Sequence, residues 1–436
     1  MTTSRRGLVG GAGMLGLAAS GFPAAAASTM AAAADVAMLQ RTLERYAGFG
    51  SKASGGKGDE ACGAWLEGEL GRIGFTCRRQ AFDIPFLDSR LATLAGGEAR
   101  TSVHPQAIVV PTGAQGLTAP LKLASQPGDL AGAIALVVLP YRRWVALAEP
   151  LVAAPLADAI TRGAAAVVLV TTGPTSEAIA LNVSTKRAPV GKPVAILAPK
   201  NAQPFLAAAA RGATATLILD GDAGQRPAYN LIAKIDRKAA KTLVVSTPRS
   251  GWFDCAAERG SGLAVWLWLA TWLAKTEASV NLEFVATSGH EYEYIGGEHY
   301  LAQAAPKPEA TRLWVHIGAS AAARDWHELG RLLPLPSADS QRVLTATADH
   351  WDATRKAFKG VCGLEATYLA DNVMAGGELT NVLKAGYRSA IGLYGIHRYF
   401  HTEGDDLRCV SGELVLPVAH AFRNAIADAV NLTLPR

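Results

Sequence analysis

The sequence predicts an α/β protein: a mostly parallel central sheet flanked by helices, with a smaller β-rich inserted domain. Three observations predict it. Short, buried-strand runs such as "LVVST" (243–247) and "VNLEFVAT" (280–287) recur along the chain. Helical stretches fall between them, the alternation that builds a parallel sheet with both faces covered. The texture changes near residue 101 and again near 226, which sets an inserted segment inside a larger domain.

Taken in order, residues 35–48 and 59–74 carry helical periodicity, the second stopping at Gly74 before Phe75. The loop between them, "GFGSKASGGKGDE", is not a phosphate loop, because Gly58 follows Lys57 where Ser or Thr is needed. Strand-like runs follow at 77–85 and 91–94. Within 101–225, "LAGAIALVVLP" (130–140), "GAAAVVLVT" (163–171), "KPVAILAPK" (192–200) and "ATATLILDG" (213–221) read as strands separated by Ala-rich helical stretches. This segment resembles the protease-associated domain inserted into exported peptidases; any small α/β lid is the alternative. "YNLIAKID" (229–236) opens the second pattern. The helix "GLAVWLWLATWLAK" (262–275) is apolar on most sides, so Trp266 and Trp268 are expected in the core. "RLWVHIGA" (312–319) and "SAIGLYG" (389–395) complete the strands.

The 436 residues are half hydrophobic and only 18% charged, ample for a full core. The net charge is +5, of which Arg5 and Arg6 lie in a leader, leaving about +3 with no basic run. Nucleic-acid binding has no support. The leader, residues 1–27, has paired arginines, an uncharged Gly/Ala/Leu stretch and the small residues Ala25, Ala26 and Ala27. It reads as a twin-arginine export signal, so the mature chain is expected in the periplasm or secreted, with no membrane span. An ordinary secretory signal is the alternative. Five cysteines (Cys62, Cys77, Cys255, Cys362, Cys409) follow no zinc spacing. Cys62 and Cys77 flank a helical segment and have two open readings: a disulfide, or small buried residues.

Four polar segments fall at strand ends, where ligands bind in open α/β sheets. Glu258 stands in "ERGSG" before the Trp-rich helix, and His290 and Glu291 follow the strand ending at Thr287. His316 lies within "WVHIGAS", and His401 opens "HTEGDD". Imidazole mixed with carboxylate suits a divalent metal. Each residue has a structural reading as well: a helix-dipole partner, surface loop residues, a core histidine, a turn cap. His290 to Tyr294 is not a two-histidine zinc helix, since Tyr294 stands where the second histidine belongs.

These segments, "NLIAKI", "ERGSG", "SGHEYEYIGGEHYL" and "RYFHTEGDDL", resemble the co-catalytic zinc aminopeptidase family, which includes single-zinc glutaminyl cyclases and metal-free relatives. The resemblance covers about 229–430 and the start at 35–85. It implies an aminopeptidase-like domain made of 28–100 and 226–436, with 101–225 inserted. It also implies a metal held by Glu258, Glu291 and His401. The sequence departs from the family at the first histidine ligand, where Thr247-Pro248-Arg249-Ser250 stands. It departs at the base, where the family's Glu is His290, and at the strand Asp, which is His316. The resemblance therefore implies one zinc ion rather than two. His290 would be the general base, and Arg249 or His316 would steady an oxyanion.

The expected function is hydrolysis of an amide bond in a small peptide by an exported, single-zinc enzyme. Two alternatives stay open: a single-metal enzyme of this fold acting on a non-peptide metabolite by hydrolysis, cyclisation or elimination, and a catalytically inactive binding protein. The partner in each is a small molecule or short peptide.

Overall fold

Two long antiparallel strands run through the whole molecule. The computed structural model describes residues 24–434 apart from 107, 187–190, 277–278 and 372–373. Most of the expected leader lies outside the described residues; 24–27 open helix α1 (Ala24–Ala47). After α2 (Lys57–Arg72), strand β1 (Thr76–Gly96) pairs almost end to end with a later strand, Thr214–Ile235. The sequence splits each of them into two runs, because Asp88, Ser89 and Arg90 in one and Gly221, Asp222 and Gly224 in the other read as turns. Pairing overrides that local preference. Arg90 bridges Asp220 and Asp222, Arg226 bridges Asp88, and the register shifts at Ser89/Leu91 to absorb the irregularity.

The stretch between these two strands holds β2 (Ala99–Ser102), β3 (His104–Pro105), β4 (Leu117–Leu123) and β5 (Ile134–Val138). It continues with α3 (Pro150–Thr161), β6 (Ala166–Val170), β7 (Val194–Leu197) and α4 (Gln203–Ala210). The long return strand is β8. Then come β9 (Thr242–Pro248), α5 (Gly260–Ala274), β10 (Asn281–Thr287), α6 (Ile295–Gln303) and β11 (Thr311–Ile317). They are followed by β12 (Arg324–Glu328), β13 (Leu332–Ala338), β14 (Arg342–Ala346) and α7 (Trp351–Ala357). The chain closes with β15 (Thr367–Leu369), α8 (Glu378–Lys384), β16 (Ala390–Gly395) and α9 (Gly412–Ala429).

The main sheet runs β15-β14-β16-β11-β9-β10-β8 and continues through β4-β5-β6-β7-β3. β16, β11, β9 and β10 are mutually parallel, and so are β4 to β7. The central sheet is thus mostly parallel and flanked by helices. The segment 101–225 supplies nearly all of one hydrophobic cluster and shares another with Phe82, Ile84, Ala228, Trp252 and Tyr292; its strands extend the same sheet, and β8 crosses the expected boundary at 225/226.

Helix α5 is buried on almost every side because it lies under the sheet with α1 and α9 against it. Trp266 and Trp268 pack in that core, their indole nitrogens donating to the Val245 carbonyl (2.9 Å) and to Asp35 (2.9 Å). All five cysteines are free thiols, so the Cys62–Cys77 pairing does not form; Cys62 is a small buried core residue. No helix among the described residues is long and apolar enough to cross a membrane.

Candidate functional site

The carboxyl ends of β9, β10 and β11 carry the site. β10 ends at Thr287, and a tight left-handed turn at Gly289 (φ 79°) turns the chain into His290 and Glu291. A side chain at Gly289 would meet Ile295, and one at Gly296 would meet the Ser288 carbonyl, so the turn closes only with glycine at both. Glu293, Tyr294, Ser320 and His401, all non-glycine, also adopt positive φ on this rim. Such strain persists where surrounding structure enforces it, and it clusters at functional sites.

His290, Tyr294 and His316 line one cleft of about 340 Å³, with Phe400, Tyr394 and Asn182 among its other walls. No aspartate or glutamate is among its lining residues. His290 Nδ1 lies 3.3 Å from Glu378 Oε1, and Thr287 Oγ1 donates to both Glu378 oxygens (2.8 and 3.0 Å). With a hydroxyl donating to it, the carboxylate accepts from Nδ1–H, which leaves the Nε2 lone pair of His290 free. Burial, and then the Arg259 cation, push the imidazole well below the ordinary histidine range; burial raises the Glu378 carboxyl.

His316 is set in the opposite sense. Trp314 Nε1 donates to Ser246 Oγ (2.9 Å), and that hydroxyl lies 3.0 Å from His316 Nδ1. Its proton goes to Nδ1, so His316 carries hydrogen on Nε2. That atom is buried without a hydrogen-bond partner. Burial dominates over Glu378 and lowers the imidazole to about 4, so His316 is a neutral donor. A side chain on Gly377 would lie 3.7 Å from His290 and 3.9 Å from His316 Nε2, which sets the two imidazoles side by side.

Arg249 is directed elsewhere. Its Nε meets Asp59 Oδ1 at 2.9 Å, its Nη1 donates to the Ala286 carbonyl (3.0 Å), and the guanidinium lies 4.5 Å from the Tyr229 ring. It is fully buried in the floor and does not line the cleft, so the oxyanion role expected for it is not supported by this geometry.

Behind the cleft wall, Glu258 Oε1 lies 3.3 Å from His401 Nε2, a spacing that suits two ligands of one ion. His401 Nδ1 is fixed by the Ala180 carbonyl (2.8 Å), and the Val183 amide donates to the Glu291 carbonyl (2.9 Å). The segment 101–225 thus braces this wall. The expected third ligand, Glu291, is not gathered within 4.8 Å of both: its Oε2 accepts from Ser250 Oγ (2.9 Å), and its Oε1 is buried without a hydrogen-bond partner. Among the described residues, the group that gathers three donor atoms within 4.8 Å is His397, Asp405 and Cys409. Arg259 Nη2 instead stands 2.8 Å from Glu258 Oε1. In this arrangement the residues do not fit the expected zinc ion. The coordination set is not closed, and a guanidinium is already on the carboxylate that would carry the metal.

The charges follow from that guanidinium. Burial alone would raise Glu258, but Arg259 and His401 hold it below the ordinary carboxylate range. Glu291 is pushed up to about 8 by burial, with Arg259 only partly opposing. The motif comparison assigns Arg259 no role, which is why sequence reading passes over it. Glu378 was missed as well, since it lies on a helix remote in sequence from every motif.

A further constellation is sealed below the cleft. Ser320 Oγ lies 2.8 Å from His397 Nδ1, and His397 Nε2 lies 3.4 Å from Asp405 Oδ1. Asp405 accepts the amides of Ala257 and Glu258 (2.9 Å each), so this group anchors the start of α5 to the His401 loop. None of the three lines the cleft.

No family model and no curated protein matches the sequence. Solved structures do share the fold. A zinc aminopeptidase from Bacillus subtilis is 19% identical with a TM-score of 0.69, over 92% of this chain and 95% of its own. A Peptidase M28 precursor from Shewanella amazonensis is 16% identical with a TM-score of 0.70, over 94% and 98%. An aminopeptidase from Aneurinibacillus sp. strain AM-1 is 16% identical with a TM-score of 0.64, over 90% and 93%. At these identities what is shared is the fold, that of zinc aminopeptidases.

Proposed function

We propose that this chain hydrolyses an amide or ester bond of a small acyl compound without a free α-ammonium, such as a short peptide with a blocked amino end. His290 accepts a proton from the attacking water at Nε2 and passes it to the leaving nitrogen or oxygen as the C–N or C–O bond breaks, Glu378 holds the imidazole in the required tautomer, and His316 Nε2–H donates to the developing oxyanion. The observation that carries this reading is one cleft lined by two oppositely set imidazoles, a base and a neutral donor. The cleft lining has Arg342 and no acidic residue, which disfavours a free α-ammonium, since that group would need a counter-charge. The aminopeptidase fold is consistent with hydrolysis. The leader read at residues 1–27 adds export by the twin-arginine route to the proposal.

The test is turnover of acylated and free aminoacyl anilides and esters in metal-free buffer. Acylated substrates should be cleaved, and His290→Ala should lower kcat by at least ~100-fold with a native melting curve. A folded wild-type protein that turns over no neutral amide or ester would refute the reading.

A further inference from the structure

The least expected charge in the molecule is Arg259. It stands at the N-cap of α5, is 1% exposed, and its Nη1 and Nη2 have no directed hydrogen bond beyond the Glu258 contact. Around it lie three buried atoms in the same condition: Glu258 Oε1, Glu291 Oε1 and His401 Nε2. Two carboxyl groups and an imidazole near one buried guanidinium, none with a directed hydrogen bond at these atoms, are what a bound cation satisfies. The side chain is also held in place. Its Nε donates to the Ser250 carbonyl (2.8 Å), and its stem packs at Gly251, where an added Cβ would lie 3.4 Å from Arg259 Cγ.

We propose that Arg259 is the resident cation of this centre, and that Glu258, Glu291 and His401 become a divalent-metal site once its guanidinium is removed. A guanidinium stays charged at any working pH and cannot make way for a metal by losing a proton, as a lysine can. A divalent ion beside it would meet a like charge in a buried setting. The remaining parts suit a metal. Glu258 Oε1 and His401 Nε2 already stand at ligand spacing, and the Ala180 carbonyl orients the His401 ring through Nδ1 (2.8 Å), the usual support for a metal-bound histidine. The inference is independent of the hydrolytic reading, since its readout is metal content.

Wild type, Glu258→Gln, Arg259→Gln and Arg259→Gln combined with Glu258→Gln are equilibrated with zinc, desalted and counted by ICP-MS, with zinc affinity read by competition against a chelating dye. Wild type should hold no zinc that Glu258→Gln removes, so any ion at His397, Asp405 and Cys409 is subtracted. Arg259→Gln should gain about one equivalent and bind zinc at least ~100-fold more tightly, and the double variant should lose it. Two results overturn the proposal: one equivalent in wild type that Glu258→Gln abolishes, or no gain in an Arg259→Gln protein with native circular dichroism. If Arg259→Gln does not fold, wild type decides: zinc in it that Glu258→Gln abolishes overturns the proposal, and its exclusion supports it.

Discussion

Replacing Glu378 with glutamine tests the base directly, because it changes one atom pair and almost no volume. The carboxylate accepts from Thr287 Oγ1 on both oxygens and from His290 Nδ1 at 3.3 Å. In Glu378→Gln the amide oxygen keeps the Thr287 hydroxyl, which turns the amide NH2 toward His290. Two N–H groups cannot face each other, so Nδ1 must give up its hydrogen and Nε2 must take it. A donor then points into the cleft where a lone pair is required. General-base assistance is worth about 10²–10⁴ in rate, so kcat should fall by that factor. Glu378 does not line the cleft, so KM should stay within about threefold. Stability should hold or rise by about 1 kcal/mol, since a buried carboxylate is replaced by a neutral isostere. The assay is kcat and KM on the best acyl substrate, thermal melting, and ¹⁵N NMR of the histidine rings to read the tautomer. A natively folded Glu378→Gln enzyme with kcat within threefold of wild type would remove His290 from the base role.

Two further outcomes follow from the buried charges. His316 is held at about 4 when folded, against about 6.5 unfolded, so only the unfolded state takes up a proton between those values. Its contribution to stability is therefore complete above about pH 6.5 and lost as pH falls toward 4. The loss is about 3 kcal/mol, and His316→Asn should flatten that part of a urea-denaturation pH series; an unchanged slope would show that His316 is not held neutral. Arg249→Ala leaves Asp59 buried without its cation and should destabilise by about 3–5 kcal/mol in chemical denaturation, while Arg249→Ala with Asp59→Asn should recover part of that. A loss under about 1 kcal/mol would contradict the burial of that pair.

The central strands were legible because each is a continuous apolar run buried on both faces, as β9, β10 and β11 are. Residues 320–388 were not read, since β12 to β15, α7 and α8 are short and gain their order from neighbours rather than from a periodic pattern. At the site, strand-end position brought out His290, His316, Glu258, Glu291 and His401 as a set. Position could not separate what lines the cleft from what lies behind it. Arg249 looked free beside the emptied ligand position because its partner, Asp59, is 190 residues away and belongs to a helix with no motif. Glu378 was invisible for the same reason, being paired to His290 across 88 residues.

Arg259 shows why a motif can mislead about chemistry while remaining right about fold. The backbone that brings Glu258 to the start of α5 needs only a chain that turns and begins a helix there, with Asp405 receiving the amides of Ala257 and Glu258. Arginine in the next position satisfies that requirement as well as any residue, so the fold is preserved. The electrostatics are not. A buried cation at a helix N-terminus opposes the helix dipole and is tolerated only with an anion close by, which ties Glu258 to it rather than to an exchangeable ion. The same charge disfavours protonation of His290 and His316. Burial first, with the fixed guanidinium adding to it, therefore keeps both cleft imidazoles neutral, the state in which one can accept a proton and the other can donate a hydrogen bond.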